Sequence, residues 1–200
     1  MKCRHCGSDV SHVLVDLGVA PPSNAYLTKL ALKRPEKYFP LRVLVCESCW
    51  LVQAEAYSRA AELFNEEYAY FSSFSTEWLN HAQKYVDEMV KRFDLTTVSV
   101  VGEVAANDGY LLQFVKEKGI RCYGIEPTAS TANAARQKGL EIIQDFLNVK
   151  LARDLRQQGR TVDLLAANNV LAHVPDINDF SQACQMLLNA DGVLTCEFPH

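Results

Sequence analysis

The run Val98-Ser-Val-Val-Gly-Glu-Val-Ala-Ala-Asn-Asp-Gly109 leaves little choice of local structure. It begins as an apolar, β-branched strand, breaks into a short polar turn ending at Gly109, and gives way to Leu111, Leu112, Phe114 and Val115 at helical spacing. A second apolar run, Tyr123-Gly-Ile, ends in the acid Glu126. Strand, tight turn, helix, strand, acid is the layout of a βαβ nucleotide-binding unit. In such a unit the turn meets a ligand at the helix N-terminus and the acid takes ribose hydroxyls.

The turn is poor in glycine. A dinucleotide site wants G-x-G-x-x-G, because several backbone positions must approach a pyrophosphate closely. Glu103-x-Ala105-x-Asn107-Asp108-Gly109 offers a single glycine and two acids, which would repel a pyrophosphate. A ligand with a cationic centre and no phosphate suits that charge. The competing reading is an ordinary α/β turn with a solvated Asp108.

From Val98 onward strand and helix patterns alternate. Strands are predicted to Val104, near Cys122–Ile125, at Leu140–Ile143, at Val162–Ala167 and at Val193–Glu197. Helices are predicted from about Tyr110, around Ala132–Gln137, around Val149–Gln157 and over Ile177–Leu188. This alternation predicts an α/β fold with a parallel sheet covered on both faces and ligands at the carboxyl ends of its strands. Glu103, Glu126, Asp145, Asn168, Asn169, His173, Glu197 and His200 all fall at or just past such ends. Ahead of the sheet, Ser75 or Thr76 is placed to cap a helix whose apolar face runs Trp78, Ala82, Tyr85, Val86, Met89, Val90, Phe93.

The first quarter has a different character. Cys3-Arg-His-Cys6-Gly7 and Cys46-Glu-Ser-Cys49 form two C-x-x-C turns, each presenting two thiolates on one side of a divalent ion. Together Cys3, Cys6, Cys46 and Cys49 complete a closed, structural Cys₄ zinc site. A redox C-x-x-C, the competing reading, is expected once and at a helix N-terminus. The remaining three of the seven cysteines, Cys122, Cys184 and Cys196, sit in apolar settings and are expected to be inert core residues. Between the modules, Glu66-Glu-Tyr-Ala-Tyr-Phe-Ser-Ser-Phe-Ser75 concentrates hydroxyls beside apolar faces. That suits a polyol ligand, and equally suits aromatic packing between modules.

A formal charge of −4 over 200 residues gives no reason to expect nucleic acid as the main partner. No apolar run approaches the ~18 residues of a membrane span, and no apolar stretch follows the opening Met1-Lys2-Cys3-Arg4. The expectation is a cytoplasmic chain without nucleic-acid or membrane partners.

Taken together, the Cys pairs, Leu17-Gly18…Pro21-Pro22-Ser23-Asn24, Pro40-Leu41-Arg42, Leu51-Val52-Gln53, Tyr68-x-Tyr70-x-Ser72-Ser73, Asn107-Asp108-Gly109, Gly124-Ile-Glu-Pro127, Asn169-Val-Leu-Ala-His173 and Glu197-Phe-Pro-His200 resemble a known family. They are similar to the S-adenosylmethionine-dependent C-methyltransferases that act on nucleotide-linked deoxysugars. The resemblance implies a Rossmann-like class I methyltransferase sheet, C-terminally incomplete, behind a Cys₄ zinc-binding module. The domains implied are 1–74 for the zinc module with the tyrosine-rich substrate segment, 75–95 for a bridging helix and 96–200 for the cofactor domain. It implies that Glu103, Asn107, Asp108 and Gly109 line the methionine end of S-adenosylmethionine, that Glu126 holds the ribose diol, and that Asp145 and Phe146 flank the adenine. Asn169 and His173 would face the transferring methyl and the sugar, with Tyr68, Tyr70 and His200 as further catalytic candidates. The expected partner is a nucleotide-sugar, and family members being about twice as long, a C-terminal domain absent from this chain is expected to complete the site. Two other functions fit the same residues: a methyltransferase acting on another small carbonyl compound, and a zinc-stabilised binding module without chemistry.

Overall fold

A computed structural model describes residues 1–23, 25–58, 62 and 70–198. The chain divides into two compact units, Met1–Tyr70 with Pro175–Asn178, and Phe71–Val174 with Asp179–His200.

The first unit is a three-stranded antiparallel sheet, β1 (His12–Ala20), β2 (Phe39–Val45) and β3 (Val52–Ala54), in the order β1-β2-β3. Sequence patterning finds β2, which carries the chain into the second cysteine turn. It misses β1, whose side chains are exposed almost throughout and therefore carry no buried face to read. Among the described residues, the buried core consists of Cys3, Val10, Leu44 and Cys46, with Cys49 and Leu51 packed against it. So small a core cannot by itself repay the entropy of ordering the unit.

The second unit is a parallel sheet of β4 (Val100–Val104), β5 (Arg121–Ile125), β6 (Ile142–Ile143), β7 (Val162–Asn168) and β8 (Leu188–Glu197), ordered β6-β5-β4-β7-β8. Helices α1 (Thr76–Arg92), α2 (Leu112–Glu117) and α3 (Ala129–Gln137) contribute to the core on one face. Helices α4 (Val149–Gln157) and α5 (Ile177–Leu187) cover the other. Strand β7 shows the alternation that two covered faces demand: Leu164 and Ala166 join the first cluster, Leu165 and Ala167 the second. Ser75 caps α1 by accepting from the Trp78 N–H at 3.2 Å. The helix then buries Ala82, Val86 and Met89 with Val101 and Leu164, so it is a layer of the second unit's core.

Two glycines fix how closely these elements pack. At Gly124 in β5 a Cβ would stand 2.5 Å from the Ala106 Cβ, and at Gly109 it would stand 2.2 Å from Leu140 Cδ1. Of the three unpaired cysteines, Cys184 is buried and Cys122 half-buried, as expected of core residues, but Cys196 is exposed. It lies on β8, the last strand at its side of the sheet among the described residues, where alternate side chains face outward. No described helix is long and apolar enough to cross a membrane.

Candidate active site and metal centre

The strand order reverses at β4, with β5 on one side and β7 on the other. A crevice opens at the carboxyl ends of such strands because the following connections diverge to opposite faces. Glu103 stands at the end of β4, Glu126 just past β5, and Asn168 at the end of β7.

The turn after β4 has an unusual backbone. Ala105, Asn107 and Gly109 take φ of 55°, 49° and 76°. These alternating left-handed residues curl the chain tightly and aim its N–H groups inward. Asn tolerates that conformation, whereas Ala does so at a cost. The turn is held by two clamps. The Asn107 N–H donates to Glu126 Oε2 at 2.9 Å, while Glu126 Oε1 accepts from the Thr128 N–H at 2.9 Å and the Thr131 hydroxyl at 3.0 Å. From the other side, the Ser72 N–H donates to Asn107 Oδ1 at 2.9 Å and the Ser73 N–H to Asp108 Oδ1 at 3.3 Å. Lys138 reaches Asp108 Oδ2 at 3.5 Å and the Ser73 hydroxyl at 2.8 Å. Glu126 thus spends much of its accepting capacity on the turn itself, keeping lone pairs for a further donor.

The most informative feature is what the protein leaves unpaired. Among the described residues, the buried side-chain oxygens without a hydrogen-bond partner are both of Glu103, the hydroxyls of Thr128 and Ser130, and Oδ1 of Asn168. They lie at the carboxyl ends of β4 and β7, in the loop after β5 and, for Ser130, in the first turn of α3. Buried polar groups are ordinarily satisfied, so these orphans are candidates for contact with a ligand. Burial pushes the Glu103 carboxyl well above its ordinary value; the Tyr110 phenol opposes this, while Glu126 and Asp108 reinforce it. Tyr110, also buried, is itself pushed well up by burial and by Glu103. Its ring stacks on Trp78 at 5.8 Å, and Trp78 stacks on His81 at 5.0 Å. His81 Nε2 bonds Glu197 Oε2 at 2.8 Å.

The structure therefore gathers Glu103, Asn107, Asp108, Gly109 and Glu126 around one turn. Asp145 and Phe146 follow β6 and are exposed, with Asp145 Oδ1 accepting from the Phe146 N–H at 2.7 Å. Asn169 is exposed at φ 55°, its N–H donating to the Glu197 carbonyl at 2.6 Å, and it is the neighbouring Asn168 that is buried. His173 ends a short 3₁₀ turn and is exposed. Tyr70 is about half exposed, while Tyr68 and His200 lie outside the described residues. Sequence reasoning missed Tyr110, Thr128 and Ser130, which look like routine helix-flanking residues until their burial is known.

In the first unit, the ligand atoms of Cys3, Cys6, Cys46 and Cys49 all lie within 4.8 Å of one another. Cys3 Sγ is 3.6 Å from Cys49 Sγ, and Cys6 Sγ is 3.6 Å from Cys46 Sγ. Thiolates about 2.3 Å from a tetrahedral zinc would be roughly 3.8 Å apart, so the sulfurs already outline that tetrahedron. The two turns repeat each other. Gly7 N–H donates to the Cys3 carbonyl and Trp50 N–H to the Cys46 carbonyl; Cys3 N–H donates to Ser8, and Cys46 N–H to Leu51. Gly7 and Trp50, one after each second cysteine, both have positive φ. The Cys6 N–H holds the Cys3 thiol down to about 5, against burial and with help from Gln53. The buried Gln53 amide donates to Cys3 Sγ at 3.4 Å, an outer contact of the kind that orients a metal ligand.

The second unit is a Rossmann-like parallel sheet with an acidic turn at its switch point, and the first carries a Cys₄ cluster that could hold a metal ion. Comparison with known proteins agrees. Residues 3–64 match the family described as "Putative zinc binding domain", and residues 103–194 match "Methyltransferase domain". The chain is 29% identical over 199 residues to the C-methyltransferase NovU of Streptomyces niveus, a match covering 100% of this chain and 47% of that protein. It thus spans about half the length of the curated relative it matches. The PH0226 protein of Pyrococcus horikoshii OT3 superposes with a TM-score of 0.50 at 14% identity, over 64% of this chain and 57% of that one, which shows the fold alone. A SAM-dependent methyltransferase from Agrobacterium tumefaciens reaches 0.47 at 13% identity over 60% and 44%. The chain is thus similar to a zinc-binding family in its first third, to a methyltransferase family over residues 103–194, and to a C-methyltransferase over its whole length.

Proposed function

We propose that this chain binds S-adenosylmethionine at the β4 turn and takes part in methyl transfer to a carbon of a nucleotide-linked keto sugar. The observation that carries the reading is the set of buried, unpartnered oxygens on Glu103 and Asn168 at the ends of β4 and β7 and on Thr128 and Ser130 where α3 begins. They offer acceptors and hydroxyls, beside the acids Asp108 and Glu126, to a ligand that is cationic at one end and a nucleoside at the other. When bound, S-adenosylmethionine supplies an electrophilic methyl group on a sulfonium.

The remaining chemistry belongs to side chains. Glu103 and Asp108 receive the cationic end. Glu126, with its remaining lone pairs, takes a ribose hydroxyl while keeping its grip on the Asn107 N–H. A carbon next to a ketone must lose a proton before it can attack a methyl group: the C–H pair becomes the enolate, and the proton passes to a base. His173 and Tyr70 are the candidates among the described residues for that proton and for the enolate oxygen. Placement and electrostatic stabilisation of the enolate supply most of the acceleration in such a step. The carbon acceptor is the reading favoured by the relative named a C-methyltransferase.

The test is thermal unfolding of the zinc-loaded chain with S-adenosylhomocysteine and, separately, with nucleoside diphosphates. A ligand at about a hundred times its Kd contributes about 2.7 kcal/mol. For a chain of this size that corresponds to a rise in Tm of roughly 5–10 °C. A rise with S-adenosylhomocysteine that is lost in Asn107→Ala supports the cofactor site. A further rise with a nucleoside diphosphate supports the sugar-nucleotide substrate, and its absence points to another carbonyl compound. No response to either would leave a binding module of another kind.

A further inference from the structure

One acid in the site has no charge to answer it. Glu103 is 1% exposed, and neither carboxylate oxygen meets a hydrogen-bond donor in good geometry among the described residues. The groups that face or influence it come from every side. Its own turn contributes Asp108 and Tyr110, and the end of β5 contributes Glu126. Tyr85 on α1 and Cys122 on β5 both feel its charge, and Glu197 on β8 acts on Tyr110 and Tyr85 in the same way. Asn168, at the end of β7, brings no charge and acts on the Tyr110 phenol through a hydrogen bond. The cations nearby are committed elsewhere: Lys138 to Asp108, and His81, when protonated, to Glu197. A buried carboxylate among acids and phenols is at its most costly when ionised.

Building on the cofactor site proposed above, we infer that Glu103 is a proton-exchanging receptor: a neutral carboxylic acid in the free chain, it releases its proton to solvent when the cationic end of the ligand arrives. The O–H bond of the acid breaks, the proton leaves to buffer, and the carboxylate left behind neutralises the incoming positive charge. No bond to the ligand forms. Tyr110 is the positioning residue, its phenol being the group that favours the ionised form of Glu103 against burial. The arrangement keeps the free site free of an uncompensated buried charge and makes ligand affinity depend on pH. In the range between the two proton affinities of Glu103, in the complex and in the free chain, affinity climbs with pH by up to tenfold per unit. Above the free chain's value it levels off.

The experiment is calorimetric titration of S-adenosylmethionine into the full, zinc-loaded chain over a range of pH, repeated at each pH in buffers of different ionisation enthalpy. The expected result is release of about one proton per ligand bound, with an association constant that rises toward tenfold per pH unit. Glu103→Gln should still bind, more weakly, with no proton release and a flat pH profile. Tyr110→Phe should move the rising part of the profile to higher pH, a displacement that mere loss of packing would not produce. Binding without proton release in the unaltered chain overturns the inference and leaves the cofactor site standing. Equal release from the unaltered chain and Glu103→Gln assigns the proton to another group and also overturns it. Absence of binding at every pH would remove the cofactor site, and this inference with it.

Discussion

At Glu103 the same physics that prepares the site also costs stability. Its folded-state proton affinity is raised by burial first, with Glu126 and Asp108 adding to the effect. In the unfolded chain it returns to the ordinary glutamate value of about 4.3. A group held higher in the folded state contributes stability that is complete below its unfolded value. That contribution drains away as pH rises and is gone once pH passes the folded value. The loss approaches about 1.4 kcal/mol per pH unit within the window. Glu103→Gln, neutral at every pH, should therefore differ little from the unaltered chain near the ordinary glutamate value of about 4.3 and become progressively more stable than it as pH rises above that. Parallel urea melts of the two ligand-free chains across that range would check this, and a constant difference would mean that Glu103 keeps the same protonation folded and unfolded. The sequence shows that an acid ends β4; it cannot show that the acid is buried beside a phenol and two further acids, because that depends on which neighbours fold around it. The choice between Asn168 and Asn169 is hidden for the same reason. They are adjacent in sequence and of one residue type, and only the backbone, left-handed at Asn169, decides which is buried.

The elements were legible to the degree that burial gave them a pattern. The five strands and four following helices of the second unit alternate as the sequence predicts, and α1 carries its predicted stripe into the core. Strand β8 starts earlier than its apolar run, because Leu188–Asp191 join the strand through an irregular register against β7. The β4–α2 turn was only half legible. Gly109 announces a left-handed residue and Asn107 permits one, but nothing about Ala105 does. This yields a contrasted pair of predictions. Gly109→Ala adds a Cβ 2.2 Å from Leu140 Cδ1 at a φ of 76°, so it combines backbone strain with overpacking. It should cost roughly 2–4 kcal/mol. Ala105→Gly relieves strain at φ 55° and should be neutral or stabilising by up to about 1 kcal/mol, less whatever the freer unfolded chain takes back. Denaturant midpoints of the two variants would decide the matter. If both changes destabilise alike, the turn is not held in this left-handed form.

For the molecule as a whole, two units imply two sources of stability. The second has two extended apolar clusters and needs no metal to account for its folding. The first buries Cys3, Val10, Leu44 and Cys46, and half of that core is ligand. Zinc in such small Cys-rich sites contributes an apparent ~10–16 kcal/mol, which is folding free energy because no site exists in the unfolded chain. A strong chelator, or Cys46→Ser, should therefore unfold the first unit and leave the second folded. Hydrogen exchange read by mass spectrometry would separate them. Amides of β2 and the cysteine turns, such as Cys46 N–H to the Leu51 carbonyl, should lose protection. Those of β4, β5 and β7 should keep it, since their ladders are paired entirely within the second sheet. Protection unchanged in both units would deny the metal its structural role, leaving the 3.6 Å sulfur pairs as packing between thiols. Loss in both at once would show that the two units unfold together.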